Sequence, residues 1–329
     1  MAARAPSFGY TLMGEEHGPR ELVAAAERAE AVGFDFLVAS DHYHPWVPEQ
    51  RHSPYVWTVL GAVAARTRSV ELATMVTCPI IRYHPAIVAQ KAATLAVLSE
   101  GRFTLGVGSG ERLNEHVVGE GWPPVDVRQE MLEEAVDLMR LLWEGGYRTF
   151  RGEYFAVEDA RIFDLPEQTV PVAIAVSGPW SVDLAATAGD GLIAVSPSPD
   201  LVDRYRAGGG EGPTWCQIAV CWAADRVQAM RTAHERSRWS PLGWKVMSEL
   251  PNPVNFDAAT RLITPEQVAE EIPCGPDPEP YVEAIRAFTD AGFERVALLQ
   301  IGDDQEGFFR FWEDELQPHI ARSLAGAIT

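Results

Sequence analysis

The sequence predicts an α/β fold, a parallel (β/α)8 TIM barrel with insertions after strands 4 and 7, spanning residues 1–329 as a single domain. Three observations predict it. Eight short apolar runs alternate with helix-forming segments along the chain. No composition break or linker divides the chain near its middle, which favours one closed barrel over a doubly wound sheet. A length of 329 residues with 47% hydrophobic content is enough for one large core.

The elements follow in order. Ser7–Met13 reads as the first strand. Pro19–Ala31 is a helix, with proline at the first turn, where no N–H is needed. Asp35–Ala39 is the second strand and Tyr55–Ala65 a helix. Val70–Thr77 is the third strand, and the helix Pro85–Leu98 carries apolar Ala89, Ala92, Ala93, Leu95 and Ala96. Arg102–Val107 is the fourth strand. The rhythm breaks over Glu111–Phe163, which holds a polar turn, one helix (Gln129–Leu142) and a hairpin around Arg151-Gly152. It resumes with strand Pro171–Val176, helix Pro179–Ala188, strand Gly191–Ser196 and the short helix Leu201–Ala207. Cys216–Trp222 is the seventh strand, followed by helix Ala224–Arg238. A second excursion, Trp239–Asp277, is rich in Pro, Gly and Trp and is the expected substrate-side wall. Helix Glu279–Ala291, the eighth strand Arg295–Gln300 and a closing helix Glu306–Leu324 complete the barrel.

Composition narrows the function classes. With 27 Lys+Arg against 47 Asp+Glu, the net charge of −20 does not attract nucleic acid or anionic lipid, and no local basic patch offsets it. Lys91 and Lys245 are the only lysines, so lysine-built phosphate sites are scarce. Cys78, Cys216, Cys221 and Cys274 form no C-x-x-C pair. Met1–Gly9 lacks the apolar run of a signal peptide, and no stretch approaches the ~20 apolar residues of a membrane span. The expectation is a cytoplasmic protein acting on a small molecule, without nucleic-acid or membrane partners.

A barrel enzyme works at the C-terminal ends of its strands. Chemically capable residues follow four of them: Ser40–Trp46, Thr77-Cys78-Pro79, Gly106–Arg112 and Val176–Ser181. His42 suits proton transfer at neutral pH, and Asp41 beside it is a candidate for fixing its tautomer. His42-x-His44 also has metal-ligand spacing, although the later strand ends supply no further His or Asp. Gly106-Val107-Gly108-Ser109-Gly110 resembles a dinucleotide fingerprint but has Glu111 where that motif needs glycine, so a tight strand exit beside a flat ligand is the better reading. Ser177-Gly178 before the helix at Pro179 outlines an anion site that needs no lysine.

Together these residues carry a resemblance. Ser40-Asp41-His42 with Pro45-Trp46, Arg82-Tyr83-His84-Pro85-Ala86, and Leu105–Glu111 with Asn114-Glu115 resemble the luciferase-like superfamily. Within it they resemble the F420-dependent branch typified by the F420-dependent glucose-6-phosphate dehydrogenases, from Gly9 to the last helix. The resemblance implies a homodimeric barrel enzyme holding the deazaflavin coenzyme F420 in its rim pocket. It implies His42, Trp46 and Glu111 as catalytic residues. It implies cofactor contacts at Asp41, Met75, Val76, Cys78, Ser109, Gly110, Asn114, Val176, Ser177, Gly178, Trp180 and Ser181, with a non-prolyl cis peptide at Met75–Val76. Substrate contacts fall at Ser198, Lys245 and Glu270. Ser198 and Glu270 stand where the glucose-6-phosphate enzymes carry lysines, so cofactor class carries over better than a phosphorylated substrate.

The implied reaction is hydride transfer between a CH–OH carbon (sugar, sugar phosphate or other alcohol) and the deazaflavin C5. His42 takes the hydroxyl proton, and Trp46 offers its ring face to developing positive charge. The alternatives are an F420H2-dependent reductase of a carbonyl, imine or alkene, an FMN-dependent luciferase-type monooxygenase, a metal-dependent hydrolase on His42/His44, and a barrel that only binds a ligand.

Overall fold

Apolar runs become parallel barrel strands when both of their faces can be buried, one in the barrel and one under the helices. The computed structural model describes residues 5–326. The first four barrel strands are β1 (Ser7–Leu12), β2 (Phe36–Ala39), β3 (Glu71–Thr74) and β4 (Phe103–Val107). An antiparallel hairpin, β5 (Arg148–Arg151) and β6 (Ala156–Ala160), interrupts the series. The other four are β7 (Val172–Ala175), β8 (Gly191–Ala194), β9 (Thr214–Val220) and β10 (Arg295–Gln300). Around the closed barrel the order is β1-β2-β3-β4-β7-β8-β9-β10, with β10 pairing back onto β1. The insertions therefore fall after the fourth and seventh barrel strands, as the sequence predicts.

Inside the barrel pack Phe36, Val38, Ala73, Met75, Ala173, Ile193, Trp215 and Ala297. Residues of the opposite parity, such as Leu37, Leu72, Leu105, Leu192 and Leu298, face the helix layer. Two glycines permit this interior. A Cβ at Gly9 would lie 2.1 Å from the Phe36 ring, and one at Gly106 would lie 2.0 Å from the Thr74 carbonyl oxygen.

The helix layer is α1 (Pro19–Ala31), α2 (Val56–Arg66) and α3 (Pro85–Leu98), then α4 (Arg112–Glu115) and α5 (Val125–Trp143), then α6 (Pro179–Ala188) and α7 (Pro199–Ala207). α8 (Arg226–Ser237) follows β9, and the second excursion then holds α9 (Trp244–Met247), α10 (Pro253–Ala259) and α11 (Pro265–Glu271). The Asp225, Asn252 and Thr264 side chains cap α8, α10 and α11 by accepting backbone N–H bonds. α12 (Glu279–Asp290), α13 (Gln305–Phe311) and α14 (Gln317–Gly326) close the fold.

Several boundaries differ from expectation. The third strand ends at Thr74, and beyond it Thr77 pairs with Val107 only as an isolated bridge. The seventh barrel strand runs Thr214–Val220, not Cys216–Trp222: pairing with β10 starts at Trp215 and runs to Val220. The closing helix is divided by a π-helical turn, Trp312–Leu316, which buries Trp312 and Leu316 under α1 and β1. No helix among the described residues is long and apolar enough to cross a membrane.

Candidate active site

His42 follows β2 by three residues, on the C-terminal rim of the barrel. Its backbone carbonyl accepts the Ser53 hydroxyl (2.9 Å), and its ring packs edge-to-face on Trp46 at 5.1 Å. Carboxylates face both ring nitrogens. Glu15 Oε1 is 2.6 Å from Nδ1 and Glu111 Oε1 is 3.1 Å from Nε2. The Glu15 contact is an ion-pair approach off the line of an N–H bond, which leaves Nδ1 without an aligned acceptor. The imidazole side chain is 13% exposed, and the two carboxylate side chains are 5% and 9% exposed.

That setting fixes the charge. Burial disfavours the imidazolium, but Glu15 and Glu111 outweigh it and push the His42 pKa up to about 10. Burial likewise opposes ionisation of Glu111, yet His42 and the Asn114 amide hold its carboxyl below the ordinary value. At neutral pH the free site is a buried imidazolium between carboxylates.

Glu15 is the residue that sequence reasoning missed. It lies three residues beyond β1, in the turn Met13–His17. The rule applied to the other strands, that capable residues stand at their C-terminal ends, would have found it at the first strand too. Its carbonyl accepts the His52 N–H (3.0 Å), tying the β1 exit to the β2 loop.

Asp41 does not orient His42, contrary to that expectation. Its side chain points the other way, accepting from Trp57 Nε1 (2.8 Å) and Thr77 Oγ1 (2.9 Å) and pairing with Arg82 (3.0 Å). Arg82 also faces Glu115, whose carboxyl burial raises to about 7. This buried network locks the exits of β2, β3 and β4 together. Asn114 is likewise a brace: its oxygen accepts the Tyr43 and His44 N–H groups (2.7 and 2.9 Å), and its nitrogen donates to Glu111 (2.7 Å). The His44 ring nitrogen Nδ1 contacts the Leu113 carbonyl at 3.1 Å, so the two histidines have separate partners.

Trp46 does not present an open ring face. It is 7% exposed, stacks on Trp239 (4.6 Å, 24°) and meets Phe256 edge-to-face. Trp46, Val47, Leu113, Met247 and Phe256 form one apolar cluster, with Trp239, Leu242 and Leu250 packed on it. Met247 and Phe256 come from the second excursion, so that segment packs on Trp46 beside His42.

The other expected positions fall as follows. The Met75–Val76 peptide is cis, Met75 is buried and Val76 half-buried. A Cβ at Gly108 would approach Val76 Cγ2 to 3.0 Å, so backbone runs close along that edge. Gly110 takes φ 78° against the buried Cys78, whose thiol burial pushes well above its ordinary value. Ser109 sits between these glycines, half-exposed. At the start of α6, Ser177 is exposed, Val176 and Ser181 are buried and Trp180 is half-buried against the outer core. The Ser177 and Gly178 N–H groups reach Ser181 Oγ only at 3.2 and 3.3 Å, and the Cβ side of Gly178 is open space. Ser198 precedes α7 at the rim; Lys245 on α9 and Glu270 on α11 are both exposed.

A closed barrel with a buried carboxylate–imidazole–carboxylate triad at its C-terminal rim is the framework of a barrel enzyme that handles protons. The chain belongs to the luciferase-like monooxygenase family, whose model matches residues 5–305. Among curated relatives it is 35% identical to an F420-dependent glucose-6-phosphate dehydrogenase of Microbacterium testaceum, over 97% of this chain and 98% of that one. It is 37% identical to one of Nakamurella multipartita, over 97% of each. Among solved structures, an F420-dependent secondary alcohol dehydrogenase in complex with an F420–acetone adduct superposes with a TM-score of 0.89 at 31% identity, covering 96% of this chain and 99% of that one. The coenzyme F420-dependent tetrahydromethanopterin reductase of Methanopyrus kandleri shares the fold at a TM-score of 0.74 and 20% identity, covering 96% and 100%.

Proposed function

We propose that this enzyme is an F420-dependent oxidoreductase that moves a hydride between the oxygen-bearing carbon of a small neutral substrate and the deazaflavin C5. The observation that carries the reading is the buried Glu15–His42–Glu111 triad beside the half-buried strand end at Val76.

The residues present fit the coenzyme. The close backbone at Gly108–Gly110 and the Val76 and Cys78 side chains suit one edge and face of a flat heterocycle. The long bonds from the Ser177 and Gly178 N–H groups to Ser181 Oγ, and the open Cβ side of Gly178, at the positive end of α6 suit its anionic tail, with Val176 and Trp180 nearby in sequence. Asp41, Met75 and Asn114 serve through the loops they brace. When bound, the deazaflavin supplies a two-electron hydride acceptor or donor.

The protein's part is to orient the substrate, exclude water and handle one proton. His42 does the last. As imidazolium it is already the acid needed to protonate the oxygen of a carbonyl being reduced. In alcohol oxidation it must first lose that proton, and Glu111 at Nε2 is placed to relay it. Trp46 holds the imidazole plane from the side.

A neutral substrate fits better than a sugar phosphate. The wall at Trp46, Trp239, Met247 and Phe256 is apolar, and Glu15 and Glu111 repel a second anion. Glu270 and Ser198 offer no compensating cation, and Lys245 points to solvent from the outer turn α9. The relative crystallised with an F420–acetone adduct is a secondary alcohol dehydrogenase, which supports the same substrate class.

The test is tryptophan-fluorescence titration with coenzyme F420 beside FMN, followed by assays of reduced F420 with small ketones and of oxidised F420 with secondary alcohols and glucose 6-phosphate. Saturable quenching by F420, turnover of ketones and none of glucose 6-phosphate is the expected result. Tight binding of FMN with oxygen consumption would replace this reading with a flavin monooxygenase, and turnover of the sugar phosphate would overturn the neutral substrate.

A further inference from the structure

The two contacts that define His42, Glu15 on one side and Trp46 on the other, trace back to a single residue far along the chain. Glu16 follows Glu15, and its side chain is wholly buried. Its Oε2 accepts the Gly302 N–H (2.8 Å) and Arg236 Nη1 (3.1 Å), while Oε1 has no partner. Arg236 stands near the end of α8, buried, and its guanidinium also forks onto Asp303 at 2.7 and 2.8 Å. One guanidinium therefore joins the β1 exit, the β10 exit and the end of α8. Its main chain reaches the other side: the Arg236 carbonyl accepts Trp239 Nε1 (3.3 Å), and Trp239 stacks on Trp46, which packs on the His42 ring.

We propose that Arg236 is the positioning residue of the catalytic imidazole, its guanidinium holding the Glu15 turn through Glu16. The proposal rests on His42 being the proton-handling group. An unpaired buried carboxylate is unfavourable, so Glu16 without Arg236 must either take a proton or swing out and carry the Glu15 turn with it. Burial already raises the Glu16 carboxyl to about 7, against the opposing pull of Gly302 and Arg236. Protonation leaves Glu16 on the Gly302 N–H, whereas swinging out moves Glu15 relative to Nδ1, and that second outcome is the one the proposal requires. The neighbouring Arg238 bridges Glu49 and Asp257 at 2.9 and 2.8 Å, which keeps the excursion attached to the β2 loop when Arg236 is changed.

An open groove of about 470 Å³, lined by Pro48, Glu49, Arg51, Glu235, Arg236 and Asp303, leads to the guanidinium. It gives solvent guanidinium ions a route to the cleft left by truncation.

The experiment compares wild type, Arg236→Ala and Arg236→Lys, with Glu16→Gln as a second route to the same contact. The His42 imidazole is titrated by NMR in the cofactor-free protein, its resonance identified by loss in His42→Asn. F420 affinity is followed by fluorescence, and turnover with a ketone by oxidation of reduced F420. Expected in Arg236→Ala are a fall of the His42 pKa toward ~6.5 and a ~100-fold loss of kcat from displaced geometry, with F420 affinity retained. Arg236→Lys should recover part of both, and ethylguanidinium should partly restore Arg236→Ala. An unchanged His42 titration in folded Arg236→Ala or Glu16→Gln overturns the proposal. A shifted titration in a protein inactive with every carbonyl and alcohol leaves the positioning intact and overturns the reaction instead.

Discussion

A histidine whose pKa stands near 10 is an acid at every physiological pH, and this constrains the chemistry more than the identity of the residue does. For alcohol oxidation, kcat/KM should climb with pH towards about 10, where neutral imidazole becomes available. For ketone reduction it should be flat at neutral pH and fall over the same alkaline range. Parallel pH profiles in both directions would show that His42 is not the group that titrates. Replacing Glu15 by Gln removes one of the two carboxylates facing the ring. The His42 pKa should then drop toward ~6.5 and the oxidation profile should move to lower pH, with F420 affinity unchanged in fluorescence titration. His42→Asn should lower turnover by ~10²–10⁴-fold while sparing cofactor binding. His42 stands out in the sequence because it follows a predicted strand and suits proton transfer, whereas Trp46 and Glu111 are singled out by the family resemblance; the structure brings all three together. Glu15 is missed because the strand-end rule is not carried to the first strand, whose exit places it three residues beyond β1. Arg236 is missed as well: it reads as one more charge on an amphipathic helix until the fold brings α8 against the β1 exit.

Among the elements, the alternation of runs and helices was enough to derive the closed barrel, because a parallel strand buried on both faces has a composition that a surface strand cannot share. The π turn Trp312–Leu316 was not legible, because one extra residue in a helical turn barely disturbs apolar periodicity over a short window. The barrel interior yields a paired test on glycines. Gly9→Ala puts a methyl 2.1 Å from the Phe36 ring, which cannot move within the barrel core, so it should destabilise by ~1–3 kcal/mol or more in urea unfolding. Gly61→Ala, in the middle of α2 with nothing within 4 Å of the new methyl, should stabilise by ~0.5–1 kcal/mol. Equal effects would mean that the Gly9–Phe36 contact is not what requires glycine.

For the whole molecule, the triad links stability to pH. Folded His42 keeps its proton up to about pH 10. An unfolded histidine releases it near ~6.5, so the folded state binds more protons between these values and stability falls as pH rises through them. The contribution is fully present below the unfolded value and lost above the folded one. Wild type should therefore lose more Tm than His42→Asn between neutral and pH 10, measured by calorimetry, and parallel losses would mean that the folded pKa is not raised. The second excursion has a consequence of another kind. The Cys221 N–H donates to the Pro273 carbonyl (2.9 Å) and its carbonyl accepts the Gly275 N–H (3.0 Å), so the segment leaves and rejoins the barrel wall at one seam. A segment with fixed ends can be lengthened or shortened with only a slow growth in closure entropy. A graft that begins after α8 keeps Arg236 on Glu16, whereas one that replaces α8 as well removes the cation that Glu16 pairs with.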